Sequence, residues 1–383
     1  MRIVVATYPD RAHFFSMVPT AWALRAAGHE VRIATRPSMT GTAAETGLTV
    51  MPLGEGGDEV SECAGGRSFD PESTGWWQEV DEPLVEDLVA FCREWGPDLV
   101  LWEASTHAGA IAAEVVGAAH GRFLGGWDPL VHGEGTVGEN FSGTPREWLE
   151  EKASQFGISF SDSLLLGHFS VHQLPESVYP SGSGKAGRRL PVRPVPYRGA
   201  ASLPSWARGE PVGTRILVDW SSWDRSARGA QVLAETVADL DTEVVVLCPA
   251  GREEELPPLP EEVLVVDSAA TPLLLTSASL VIHGGGFDLV CAAAVHALPH
   301  VVVLNPRFAD AAALMNPLME RGCAVSLTLT EALEGALPEA VSRMLAGADG
   351  SAVEALRKEM ETVPAPGELV SELEELTGLF RVL

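Results

Sequence analysis

The chain has 383 residues, with 26 Lys and Arg against 53 Asp and Glu, for a formal net charge of −27. So acidic a balance excludes a nucleic-acid or anionic-membrane binder, which would carry a basic face. The 46% apolar fraction is that of an ordinary globular protein, and the length corresponds to roughly two or three domains.

No apolar run approaches the ~20 residues of a membrane span. Only Ile3–Ala6 is strongly apolar before Thr7, Tyr8, Pro9 and Asp10, whereas a secretory core needs at least about 7 such residues. Cys63, Cys92, Cys248, Cys291 and Cys323 are odd in number and scattered, with no CxxC pair. That pattern speaks against a zinc ribbon or a disulfide framework and predicts a cytoplasmic chain with reduced thiols.

The chain opens on a βαβ pattern. Arg2–Thr7 predicts a buried parallel strand, and the apolar spacing from His13 to Ala27 predicts a helix, with Pro19 inside it and Gly28 as its stop. Val31–Ala34 predicts the second strand, completing a doubly wound unit. Gly54–Trp77 has no period and six glycines, and reads as a long loop. Val85–Trp95 predicts an amphipathic helix, Asp98–Trp102 a strand and His107–Ala118 a helix, while Phe141–Leu165 has no decided pattern. Residues 177–211 hold six prolines, five glycines and several arginines, a linker signature. The pattern then restarts: strands at Arg215–Val218, Glu243–Leu247, Val263–Val266, Leu280–His283 and Val301–Leu304, with helices at Ala227–Ala238, Pro272–Thr276 and Phe287–His296. Two halves of like size and type predict two α/β domains facing each other across a linker, with ligands bound at the carboxyl ends of the strands.

Several strand ends carry candidate chemistry. In Leu280-Val-Ile-His283-Gly284-Gly285-Gly286 a buried strand runs through glycines into a helix, whose free N–H groups suit a phosphate. It is neither a P-loop nor a GxGxxG, and the same glycines also suit a tight packing turn. His13, at the start of the first helix, is placed to take a proton, or simply to bond a nearby carbonyl. Glu103, at the end of its strand, could orient His13 or cap a helix. Asp310 and Asn316 follow a later strand and could hold sugar hydroxyls, or serve as an N-cap and a surface amide. Ser221 and Ser222 add two hydroxyls at another strand end, where a plain polar turn is the alternative. Trp76, Trp77 and Trp127 could stack on a flat apolar substrate or belong to the core.

Taken together, these segments resemble the GT-B glycosyltransferases of actinomycete natural-product pathways. The resemblance covers nearly the whole chain. It rests on residues 11–31 (Arg11-Ala-His13-Phe-Phe-Ser-Met-Val-Pro and onward to Val31), on Pro97-Asp-Leu-Val-Leu-Trp-Glu103, and on Pro191-Val-Arg-Pro-Val-Pro-Tyr197-Arg-Gly199. Ile282-His283-Gly284-Gly285 and the closing Val363-Pro364-Ala365-Pro366 add to it.

The resemblance implies a GT-B fold of two Rossmann-like domains with parallel sheets. Residues 1–200 would bind the acceptor, 201–212 would link, 213–366 would bind the nucleotide sugar, and 367–383 would form a helix crossing back to the first domain. It implies inverting transfer of a deoxysugar from a nucleotide diphosphate, most simply that of thymidine, to a polyketide-type aglycone in antibiotic biosynthesis, with no metal or cofactor. His13 would be the catalytic base and Glu103 its partner. Ser221, Ser222, His283, Gly284, Gly285, Gly286, Asp310 and Asn316 would bind the donor, and Trp76, Trp77 and Trp127 the acceptor. An auxiliary activator protein and a homodimer are the further partners it suggests.

The donor side departs from the family pattern at Ile282, Phe287, Asp288 and Ala311. Asp288 is expected at the helix start as an N-cap, its carboxylate on the N–H groups a phosphate needs. Two like charges ~4 Å apart repel by about 4 kcal/mol at an effective dielectric near 20, roughly a thousandfold in affinity. Two alternatives follow: a glycosyltransferase-like partner or aglycone-binding subunit without donor binding, or a relative with a different donor or C-glycosylation.

Overall fold

The computed structural model describes residues 1–7, 9–54, 76–126, 145–178, 187–209, 211, 213–239, 242–305, 311–347 and 350–382. They form two compact units, Met1–Val195 with Val363–Leu383, and Pro196–Thr362.

The first unit is built on a seven-stranded parallel sheet of β1 (Arg2–Ala6), β2 (Glu30–Thr35), β3 (Thr49–Pro52), β4 (Leu99–Glu103), β5 (Ala119–Phe123), β6 (Phe169–His172) and β7 (Arg188–Pro191). The strand order is β3-β2-β1-β4-β5-β6-β7. Helices α1 (Arg11–Ala26), α2 (Trp76–Trp95), α3 (Ala108–Val116) and α4 (Pro145–Phe156) follow strands or loops of this sheet. Ile3–Ala6 and Leu99–Trp102 are buried throughout, as central strands covered on both faces must be, which is why they read as continuous apolar runs. Leu84, Val85, Leu88 and Val89 of α2 share one core with Ala110, Ile111 and Ala113 of α3.

The second unit repeats the plan with six parallel strands: β8 (Arg215–Asp219), β9 (Glu243–Cys248), β10 (Leu264–Asp267), β11 (Leu280–His283), β12 (His300–Leu304) and β13 (Ala324–Thr328). Their order is β10-β9-β8-β11-β12-β13. Its longer helices are α5 (Ala227–Asp239), α6 (Phe287–Val295), α7 (Ala311–Glu320), α8 (Leu337–Gly347) and α9 (Ser351–Thr362). The last helix, α10 (Pro366–Phe380), returns to the first unit and packs on α1 and β5. There Phe380 stacks on His168 at 4.5 Å, and Glu374 meets His29 at 3.0 Å. Both sheets are therefore Rossmann-like, and α10 crosses back as expected.

Some local expectations are corrected. Trp76 and Trp77 do not end a loop: they open α2, which begins well before Val85 and runs through Pro83. The stretch read as linker contains β7, whose backbone pairs with β6 despite its arginines. The undecided residues 141–165 contain α4. Strand β5, Ala-His-Gly-Arg-Phe, escaped the apolar pattern because its polar groups are bonded internally. Arg122, fully buried, donates from Nε to the Leu166 carbonyl at 3.0 Å and to Ser170 Oγ at 3.1 Å. Among the described residues no helix is long and apolar enough to cross a membrane, and Cys92, Cys248, Cys291 and Cys323 are free and buried. Cys63 lies outside the described residues.

Candidate active site

The first unit places His13 and Glu103 in contact. Asp10 caps α1, its Oδ1 accepting from the amides of Ala12 at 2.9 Å and His13 at 3.2 Å. The cap fixes the first turn, and the apolar face formed by Phe14, Met17, Val18, Ala21 and Leu24 keeps the helix on the sheet. Strands β1 and β4 are neighbours, with Ala6 opposite Trp102, so Glu103 ends β4 beside the point where the chain leaves β1 for α1.

His13 Nδ1 and Glu103 Oε1 lie 2.9 Å apart. Glu103 Oε2 accepts from the Ser105 amide at 2.8 Å, so the carboxylate is held at both oxygens. The histidine side chain is 31% exposed and the glutamate 2%. A buried carboxylate accepting from Nδ1–H fixes the tautomer, turns the lone pair to Nε2, and stabilises the imidazolium that forms once Nε2 takes a proton.

Gly125 lies against the ring: a Cβ there would stand 2.9 Å from His13 Nδ1. The Gly125→Ala variant should therefore push the imidazole a few tenths of an ångström off Glu103. Turnover is expected to drop about tenfold, since small misplacements of a catalytic group are costly, while thermal stability barely moves. Steady-state kcat decides it, and an unchanged value would show that the ring needs no such clearance.

The second unit gathers the donor-side candidates. Asp219, the fully buried last residue of β8, organises the turn that follows. Its carboxylate accepts from Ser221 Oγ at 2.7 Å, from the Ser222 amide at 3.0 Å and from Ser222 Oγ at 2.5 Å. Ser222 Oγ in turn accepts from the Gly284 amide at 3.0 Å, and its carbonyl accepts from Asn305 Nδ2 at 3.0 Å. Both serine hydroxyls thus spend their protons on Asp219 and build the floor of the glycine turn.

Gly284 can only be glycine, because a Cβ would lie 1.8 Å from the Ser222 carbonyl oxygen. Gly285 takes φ +105°, a region closed to ordinary residues. The His283 ring is fully buried: Nε2 lies 2.9 Å from His300 Nδ1, and Nδ1 accepts from the Gly285 amide at 3.1 Å. Burial pushes His283 down from 6.5 to about 4, so the ring is neutral and shapes the turn from beneath.

Gly286, not Asp288, is the N-cap of α6, and it offers no capping side chain. The helical bonds begin at the amides of Leu289 and Val290, which leaves the first amides of α6 to a ligand. Asp288 does not lie on those amides. Arg198 holds its Oδ2, from Nε at 2.8 Å and from the terminal nitrogen Nη2 at 2.6 Å. The same guanidinium donates from Nη1 to Asp219 Oδ1 at 2.8 Å. Burial alone would raise the Asp219 carboxyl, but Arg198 and the two serine hydroxyls outweigh it and hold the group below the usual range. Burial likewise opposes the Arg198 charge, and Asp219 and Asp288 more than restore it.

Asn316 is an exposed residue of α7. Asp310 and Trp127 lie outside the described residues, and of Trp76 and Trp77 only the helical backbone is described. Asp10, Gly125, Arg198, Asp219, Asn305 and His300 were not singled out from the sequence. Asp219 ends a parallel strand as Glu103 does, so the rule that found Glu103 points to it as well. Arg198 gave no signal beyond the basic charge of its segment.

Among the described residues Glu114, His120 and His168 have metal-like spacing. Their hydrogen bonds oppose that role. His120 Nδ1 accepts from Trp102 Nε1 at 3.1 Å, and His168 Nδ1 accepts from the His120 amide at 3.1 Å. Both donors are fixed N–H groups, so each neutral ring carries its proton on Nε2, toward Glu114 Oε1 at 3.1 Å and 3.7 Å. Neither Nε2 has a lone pair for a metal. The bond from His120 holds the Glu114 carboxyl down at about 2, and burial takes His168 to about 4. This is a charged glutamate with neutral histidines under the last helix.

Comparison with known proteins agrees with this architecture. The family model described as the N-terminal domain of erythromycin biosynthesis protein CIII-like proteins matches residues 22–70 and 71–220, and its C-terminal counterpart matches 230–376. The chain is 31% identical to 10-deoxymethynolide desosaminyltransferase of Streptomyces venezuelae, over 100% of this chain and 98% of that protein. It is 32% identical to TDP-daunosamine transferase DnrS of Streptomyces peucetius, over 100% of this chain and 98% of that protein. The crystal structure of the glycosyltransferase VinC in complex with DTDP superposes with a TM-score of 0.84 at 28% identity, covering 99% of this chain and 100% of that one. Relatives named as transferases support the transferase reading and not the partner-subunit alternative. With both domain models matched and full-length likeness to sugar transferases, the chain belongs to the erythromycin biosynthesis protein CIII-like family and is a GT-B glycosyltransferase.

Proposed function

We propose that this enzyme transfers a deoxysugar, with inversion at the anomeric carbon, from thymidine diphosphate to a hydroxyl of a polyketide-type aglycone in antibiotic biosynthesis. The observation that carries the reading is the 2.9 Å contact of His13 Nδ1 with the buried Glu103 carboxylate. The named specificities of the relatives, desosaminyl and daunosamine transfer, supply the donor class.

The chemistry divides between the two units. His13 Nε2 takes the proton of the acceptor hydroxyl as its oxygen bonds to the anomeric carbon, and the imidazolium is paired with Glu103. The glycosidic bond to the donor breaks, and its electron pair leaves with the diphosphate. The free amides at the start of α6 and the helix dipole stabilise that charge. Ser221, Ser222 and His283 hold the glycine turn in shape. Asp310 and Asn316 are proposed for the sugar hydroxyls, and Trp76, Trp77 and Trp127 for the aglycone. The domain limits at 200, 212 and 366 are proposed on the same ground.

No metal step is proposed, because the developing charge is met by the fixed amides and dipole at the start of α6. Four buried free thiols fit a cytoplasmic setting. An auxiliary activator protein and a second copy of the chain are the further partners proposed.

The test is turnover of the purified chain with thymidine diphosphate deoxyaminosugars and a panel of macrolactone and anthracyclinone alcohols. A glycoside of inverted configuration is expected, at a rate within about twofold in the presence of EDTA, since the helix start carries the charge. Retained configuration, or loss of turnover in EDTA, would overturn the mechanism. Turnover without any added protein would dispose of the activator, and sedimentation would decide the dimer.

A further inference from the structure

We infer that Arg198 is a positioning residue of the donor site, whose guanidinium makes the start of α6 fit for a diphosphate by cancelling Asp288. The inference rests on the thymidine diphosphate reading above and adds a residue to it.

Two carboxylates flank the glycine turn. Asp288 stands in the first turn of α6, and Asp219 lies beneath Ser222. Either one would oppose an incoming diphosphate, Asp288 most directly, because its backbone belongs to the turn whose amides would bind it. Arg198 bridges both, with three nitrogens within 2.8 Å of carboxylate oxygens, and its side chain is only 12% exposed. The guanidinium keeps the Asp288 carboxylate away from the first amides of α6. It also leaves the local trio with one net negative charge in place of two.

Arg198 and Gly199 follow Tyr197 at the start of the second unit, so a segment that reads as a connector supplies this charge. The planar fork matters: a guanidinium can bond two carboxylates at once, which an ammonium does less well. The acidic residue at 288 and the arginine at 198 thus form one device, and each is explicable only with the other.

The experiment is calorimetric titration with thymidine diphosphate, set beside ligand-observed NMR of thymidine, which lacks the phosphates. Arg198→Ala should weaken thymidine diphosphate at least ~30-fold and thymidine by less than about threefold, since an uncompensated charge near 4 Å is a thousandfold effect at most. Asp288→Ser alone should bind the diphosphate as well as the parent or better. Combined with Arg198→Ala, it should recover about tenfold of the loss. Arg198→Lys should fall between the parent and Arg198→Ala.

Equal loss for thymidine and its diphosphate would reduce Arg198 to a structural strut and overturn the inference. So would diphosphate binding within threefold of the parent in Arg198→Ala, or tenfold weaker binding in Asp288→Ser. Should Arg198→Ala fail to fold, Asp288→Ser and Arg198→Lys still decide. A parent chain that binds no thymidine diphosphate would overturn the donor reading itself, a result distinct from all of these.

Discussion

Replacing His13 by Ala is expected to lower kcat by roughly a hundred- to ten-thousandfold, the range a positioned general base supplies, with little change in melting temperature. The ring is partly exposed and stands at a helix start, so the helix survives its loss: the Asp10 cap accepts from the backbone amide of residue 13, which Ala retains. Glu103→Gln is the sharper variant. The carboxylate accepts at both oxygens, from His13 Nδ1 and from the Ser105 amide. A carboxamide can keep only one of these as an acceptor. If its oxygen stays on Ser105, its NH₂ faces Nδ1 and donates to it. The ring proton then moves to Nε2, and the base is lost with the geometry intact. Glu103→Gln should therefore approach the loss seen in His13→Ala, and the double variant should be little worse than either, because the two residues act as one unit. Additive losses in rate constants measured on saturating donor would overturn the dyad, and near-normal kcat in His13→Ala would remove the base itself.

How much of this could be read from the sequence depends on where each signal comes from. The central strands announce themselves because both faces are buried, so β1, β4, β8, β11 and β12 are nearly unbroken apolar runs. The edge and polar strands do not. In β5 the residues His120 and Arg122 are inside, and only their bonds to Glu114, Leu166 and Ser170 make that tolerable. In β7, Arg188 reaches Glu372 of the last helix, a pairing 184 residues apart that no local pattern contains. The site divides in the same way. His13 and Glu103 each sit at the end of a recognisable element, and the rule that strand ends carry chemistry suffices for both. Asp288 is legible as a charge at a helix start, but not what that charge meets. Gly286 takes the N-cap two positions before Asp288, and the Asp288 carboxylate is held by Arg198, ninety positions away. Long-range charge pairing has no periodicity, so a sequence shows the two charges and not their meeting.

Asp219→Ala is expected to be the most destabilising single change in the second unit. The carboxylate is fully buried and accepts from Ser221 Oγ, the Ser222 amide, Ser222 Oγ and Arg198. Its removal strips Arg198 of one of two counter-charges and leaves three donors to find new partners beneath the glycine turn. Breaking a buried charge pair by deleting one member costs about 3–5 kcal/mol. At about 2–4 °C per kcal/mol for a unit of this size, the melting temperature should fall by roughly 6–20 °C. Asp219→Asn retains one acceptor oxygen for the serines and gives up the charge, so its loss should be about half as large. Both should weaken thymidine diphosphate binding, Ala more than Asn, because the hold that orients Ser222 Oγ toward the Gly284 amide is lost in one and weakened in the other. The order of the two variants is the informative part. If packing alone held the turn, Asn, which matches Asp in volume, would behave like the parent and only Ala would lose stability. If the hydrogen-bond network holds it, Asn should recover a large share of the stability and some of the binding. Thermal unfolding of the two variants beside the parent separates these cases, and a melting temperature unchanged in Asp219→Ala would show that the glycine turn does not depend on Asp219.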